Sequence, residues 1–235
     1  MRSVLVICTA AFMLVSASAS LGQERMFTFL ARGSLNTTGR LFPNPHSTDP
    51  AARAQAYSFS DFYGVGAELQ YHLPGSNVFL GLSSEYIHNS GGRNIVASAQ
   101  RVVPVEDEYR VIPVELTGYF RIPVTDGAFS ILMGGGAGVY FGDRHYTLAG
   151  VEAPTTASSM GYGIHVLGGF GYRVNEWFSV SAEVKFRDAQ FQTTNAFQVP
   201  TVKYGDIFVS LPQRPFESSI HTDGMVILIG LGVSF

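Results

Sequence analysis

Met225-Val226-Ile227-Leu228-Ile229-Gly230-Leu231-Gly232-Val233-Ser234-Phe235 is the stretch from which the rest of the chain can be read. Met225, Ile227, Ile229, Leu231, Val233 and Phe235 form one wholly apolar parity, while Gly230, Gly232 and Ser234 leave room on the other. Strand side chains alternate between faces, so this is one strand standing between two different environments. Its length, about eleven residues, is what a tilted strand needs to cross a bilayer. The alternative is a buried closing strand of a soluble barrel or sandwich, and the remaining sequence decides between the two.

Hydrophobic residues make up 46% of the chain and charged residues only 14%, with 26 glycines and 13% aromatics. Soluble domains carry about 25% charged residues, so this surface has too few charges to be bathed wholly in water. Beyond the N-terminus no apolar run reaches the ~18 residues of a membrane helix. Backbone polar groups inside a bilayer must be satisfied by one another, which leaves a β-barrel. The small net charge, −3, argues against nucleic acid as a partner.

Residues 1–22 read as a secretory signal peptide and 23–235 as the barrel. Met1-Arg2 is a short positive n-region, Val4 to Val15 is apolar, and Ser16-Ala17-Ser18-Ala19-Ser20 supplies small residues before a cleavage point between Ala19 and Gly22. Cys8, the only cysteine, lies inside this peptide, so the exported chain is expected to hold neither thiol nor disulfide.

Eight stretches repeat the alternation: Arg25–Leu35, Phe59–His72, Asn77–Asn89, Tyr109–Ile122, Ala128–Gly142, Met160–Val174, Trp177–Gln190 and Met225–Phe235. Their connections alternate in length. Leu73-Pro74-Gly75-Ser76, Pro123-Val124-Thr125-Asp126-Gly127 and Asn175-Glu176 are short turns. Asn36–Ser58, Ser90–Pro104, Asp143–Ser158 and Phe191–Ile220 are long polar segments with few apolar clusters. Tyr204 to Leu211 in the last of these also has strand character, so ten strands is the alternative count. The alternation predicts both chain ends and the short turns on the periplasmic side, with the long loops outside. Pro113 forfeits one ladder bond, which a barrel tolerates where its inner face is wet.

Each polar face holds Gly, Ser and Thr with isolated charges, not the Lys and Glu of a water-facing surface. This inverted polarity favours a membrane barrel over a soluble one. Tyr63, Tyr71, Tyr86, Tyr119, Phe120, Tyr140, Phe141, Tyr172 and Trp177 sit near strand ends. Those of outward parity suit aromatic girdles, and the others point inward.

The signal peptide, the Val111-Ile112-Pro113-Val114-Glu115-Leu116 strand, the Gly-rich fifth and sixth strands and the terminal Phe235 together carry a resemblance. Over essentially its whole mature length the chain resembles the small bacterial outer-membrane β-barrels of the OmpA and OmpX type. The resemblance implies an all-β, eight-stranded antiparallel up-and-down transmembrane barrel in the Gram-negative outer membrane. It also implies that Phe235 is the C-terminal signal read by the barrel-assembly machinery. Such motifs specify a fold and leave the activity open.

Inward parity collects Arg32, Glu68, Glu85, Glu115, His165, Glu183, Lys185 and Arg187. An eight-strand lumen is only wide enough for side chains, so these charges are expected to pair across it as a structural plug. The alternative use is a narrow polar pathway for small solutes. A lipid-modifying hydrolase is weighed because His165 is expected beside Glu183, and His221 follows Ser218-Ser219; within the eight stretches no His-x-Ser pair shares a strand face. Gly134, Gly136 and Gly138 are not followed by the Lys-Ser/Thr of a phosphate loop. The scattered histidines make no metal cluster, so neither metal nor cofactor is expected. The loops carry Arg40, His46, Arg53, Arg93, Arg101, Arg144, His145, Lys203 and Arg214, expected as solvated loop charges, with contacts to lipopolysaccharide phosphates near the rim as the alternative. The expected molecule is a monomer among outer-membrane lipid and lipopolysaccharide, structural or surface-interacting in role.

Overall fold

The computed structural model describes residues 25–59, 62–96, 102–124 and 128–235. The expected signal peptide, residues 1–22, and Cys8 lie outside the described residues. In chain order the elements are β1 (Phe27–Asn36), β2 (Gly39–Phe42), α1 (Pro50–Ala54), β3 (Tyr57–Phe59), β4 (Phe62–His72), β5 (Val78–Val96), β6 (Val102–Pro123) and β7 (Phe129–Leu148). There follow β8 (Val151–Ala153), β9 (Thr155–Ser158), β10 (Gly161–Arg173), β11 (Phe178–Asn195), β12 (Thr201–Tyr204), β13 (Ile207–Ser210), β14 (Phe216–His221) and β15 (Gly224–Ser234).

Eight of these strands form an antiparallel ring, β1–β4–β5–β6–β7–β10–β11–β15, which returns to β1. The closing ladder runs from Thr28 opposite Ser234 to Asn36 opposite Val226. Closure removes the free sheet edges that hydrocarbon cannot satisfy. Between Ser84–Val114 and Ile87–Val111 the β5–β6 ladder is interrupted opposite Ile112 and Pro113, then resumes in the same register. Proline has no N–H to donate.

The apolar parity of every wall strand faces outward. Val65 (67% exposed), Ile164 (66%) and Ile229 (60%) belong to a continuous apolar belt around the ring. A belt of this extent is incompatible with water and fits a bilayer. Tyr63, Tyr71, Tyr86, Phe120, Phe141, Tyr172 and Trp177 are exposed with it, whereas Tyr119 and Tyr140 point inward and are fully buried.

The wall is uneven in height. β1, β4 and β15 have 10 to 11 residues, but β5, β6, β7 and β11 have 19, 22, 20 and 18. At ~3.3 Å per residue the longest reach ~70 Å along the strand, well beyond the ~30 Å hydrocarbon core. The extensions correct the expectation of long polar loops. Most of Ser90–Pro104 is strand, Asp143–Ser158 holds the end of β7 with β8 and β9, and Phe191–Ile220 begins as β11 and ends in β14. Thr201–Tyr204 and Ile207–Ser210 pair as a separate hairpin, so Tyr204–Leu211 adds no ninth or tenth wall strand. Outside the bilayer the ladder continues although the outward side chains no longer need to be apolar, so the alternation fades before the strand does.

These extensions carry a crown with its own core. Val103, Val105, Leu148, Ala149, Ala153, Phe197, Val209 and Leu211 bury one another there, joined by Tyr146 and Phe216. The loops therefore do contain an apolar cluster, against expectation. Its members are scattered over more than a hundred residues of sequence and meet only through strand pairing.

Candidate functional site

The lumen is a stack of layers. Beneath the crown core, Arg144 binds Asp107 through two nitrogens, Nε to Oδ1 at 2.7 Å and Nη2 to Oδ2 at 2.6 Å, and Nη1 donates to Ser218 at 2.6 Å. Its guanidinium also lies 4.7 Å from the Tyr146 ring centroid. Expected as a solvated loop cation, Arg144 is instead 2% exposed. The bidentate bond to Asp107 keeps it charged despite burial. Below it an apolar layer fills the bore with Leu41, Phe62, Ile87, Val111, Phe191 and Ile220.

The charged layers come next, and they contain every lumen residue named from parity. Glu115 is the hub of the upper one. It accepts from Lys185 Nζ at 2.6 Å, Arg187 Nε at 2.9 Å and Tyr140 Oη at 2.7 Å. Arg187 reaches on to Glu85 at 3.0 Å and to the Asn36 amide oxygen at 3.3 Å. His165 shares a 2.9 Å hydrogen bond with Thr117, and its Nδ1 is 3.8 Å from Glu115. In the lower layer Arg32 bridges Glu68 at 2.6 Å and Glu183 at 3.0 Å. Tyr119 accepts from Arg32 and donates to Glu68, at 3.1 and 3.0 Å. The side chains of Arg32, Glu68, Glu85, Glu115, Glu183, Lys185 and Arg187 are each 0–2% exposed.

The expected pairing of His165 with Glu183 does not occur. Register sets His165 opposite Arg187 and Glu183 opposite Gly169, leaving the Glu183 carboxylate to Arg32. Tyr119, Tyr140, Thr117 and Asn36 complete the network; the two tyrosines were expected only as aromatics near strand ends, and Thr117 and Asn36 were not singled out. Their parity was legible: Tyr119 and Thr117 alternate in step with Glu115 on β6.

Glycines make the network possible. A Cβ on Gly138 would lie 2.8 Å from Glu115 Cγ, one on Gly169 2.7 Å from Glu183 Cα, and one on Gly81 2.6 Å from Glu68 Oε1. A glutamate side chain thus leans across a bare stretch of neighbouring backbone to reach its partner. Gly138 on β7 and Gly169 on β10 are clearance for folded-over carboxylates.

Phe79 stacks on Tyr119 at 4.5 Å and 4°, and with Leu132 and Leu167 floors the charged layers. Beyond that floor the bore opens at the end of the short turns into a vestibule of about 520 Å³.

The model of the family described as outer membrane protein beta-barrel domain matches residues 7–214. No curated protein matches the sequence. Among solved structures, the outer membrane protein OprG from Pseudomonas aeruginosa superimposes with a TM-score of 0.56 at 13% identity, covering 90% of this chain and 97% of that one. Neisserial surface protein A gives 0.47 at 11%, covering 89% and 97%. E. coli outer membrane protein W gives 0.41 at 14%, covering 91% and 100%. Identities this low bear on the fold alone.

Proposed function

As a chain that belongs to the outer membrane protein beta-barrel domain family, this protein resides in the bacterial outer membrane, and we propose that it serves there as a sealed anchor for its crown. The role is structural or surface-interacting, with the crown displayed outside and the short turns and termini on the periplasmic side. One observation carries this reading: the Glu115–Lys185–Arg187–Glu85 and Arg32–Glu68–Glu183 ion pairs, fully buried, plug the bore beneath an apolar layer, and of these seven residues Glu183 alone borders the vestibule. A conducting lumen needs hydrated charges, and these are bonded to one another. The crown has a core of its own, so it presents a defined surface rather than separate loops. Planar-bilayer recording of the refolded protein tests the reading. Silence from the wild type is the expected result, and a steady conductance that shifts in Glu115→Ala would give the small-solute pore precedence.

A further inference from the structure

Ser219 and His221 stand two apart on β14, outside the eight wall strands, and register settles where they point. On β11, Gln192 lies opposite Ser219, Phe191 opposite Ile220 and Gln190 opposite His221; on β2, Phe42 and Arg40 flank the same two residues. Leu41, Phe191 and Ile220 fill the bore, so Ser219 and His221, of the other parity, face outward. They stand at the crown-side edge of the apolar belt, where Tyr162 (66% exposed) lies opposite Gln190 and Ile164 opposite Asp188.

On that outer face Ser219 Oγ and His221 Nε2 are 3.1 Å apart, the spacing of a nucleophile and its base. The Phe42 ring packs on the imidazole, 4.7 Å between centroids. Burial holds the His221 ring below the ordinary imidazole range, so Nε2 can take a proton at neutral pH. The Asp223 and Asp188 carboxylates favour the imidazolium that then forms, while Arg40, bound to Asp223, opposes them. His221 opens onto a groove of about 710 Å³ with Ala137, Tyr162 and Ile164 on one side and Arg40, Asp188 and Gln190 on the other. Such a groove, half apolar and half polar, fits the junction of an acyl chain with its headgroup, which is where a lipid carries its esters.

We propose that Ser219 and His221 form a catalytic dyad that hydrolyses an ester-linked acyl chain of a membrane lipid lying in this groove. The dyad is on the outer wall, apart from the sealed bore. Ser219 Oγ attacks the acyl carbonyl as its proton passes to His221 Nε2. Collapse of the tetrahedral adduct breaks the ester C–O bond, and His221 returns the proton to the departing alcohol. Water, deprotonated by the same nitrogen, then releases the fatty acid and restores the hydroxyl. Gln190, exposed on the same face, offers amide N–H groups to the carbonyl oxygen.

The refolded full chain, in detergent micelles mixed with a diacyl phospholipid or separately with lipopolysaccharide, tests the proposal through released fatty acid. Wild type should release it from one of the two, and that lipid identifies the source of the ester. Ser219→Ala and His221→Gln should lower the release by about a hundredfold or more. Ser210→Ala, an exposed hydroxyl on the crown hairpin, should leave it unchanged. A fluorophosphonate should label Ser219, as located by peptide mass; this is read on the wild type and stands even where a variant does not fold. No fatty acid from either lipid together with an unlabelled Ser219, or release that survives Ser219→Ala, would overturn the proposal.

Discussion

The middle of the lumen and its turn-end vestibule are built on the same inward parity of the same strands, yet they treat charge in opposite ways. Around Glu115 each cation has a carboxylate within 2.6–3.0 Å, and glycines clear the space between strands. Around Arg121 the Nε is buried without a hydrogen-bond partner, and about 520 Å³ is open. Burial explains the contrast. A charge far from water must carry its counter-ion with it, whereas one at a mouth can leave that place to solvent or a ligand. Paired charges in a dry bore hold the wall strands together, and an open mouth does not demand the same pairing.

Breaking the dry side should have the largest effect. Glu115→Ala strips the shared partner of Lys185 and Arg187 and is expected to destabilise the barrel by about 3–5 kcal/mol, read from urea unfolding in lipid vesicles. A loss near zero would mean that the middle layer is hydrated like the mouth. On the lipid face, Ile229→Lys should cost about 2–4 kcal/mol near the midplane in the same assay. Equal tolerance of Lys at the outward Ile229 and the inward Leu228 would contradict the assigned faces. Gly169→Ala pushes a methyl against Glu183 and should lose about 1–3 kcal/mol by overpacking, with Gly168→Ala, on the outward face, as its milder control. Arg121→Gln should move stability by only about 0.5 kcal/mol in either direction. A loss as large as that of Glu115→Ala would erase the distinction between the two regions.

The wall strands were legible because a bilayer outside and a confined interior impose opposite demands on alternate residues, as Met225–Phe235 displays. The crown was not. Val103 and Phe197 lie far apart in sequence, and beyond the membrane no single environment enforces their spacing, so Ser90–Pro104 reads as a polar loop although β5 and β6 pair through most of it. Arg144 illustrates the same limit, since a cation in a polar stretch looks solvated until Asp107 is seen opposite its guanidinium.

Sequence by itself determined the number of wall strands, their facing and the residues turned into the bore, because each follows from local alternation and turn chemistry. Tertiary structure decided the rest. The stagger between strands gave Glu183 to Arg32 instead of His165 and made Glu115 the hub of two cations. It also gathered Arg25, His72, Arg121 and Arg173 at one mouth. Partner choice inside a barrel depends on that stagger, a property of the closed ring and of no single strand.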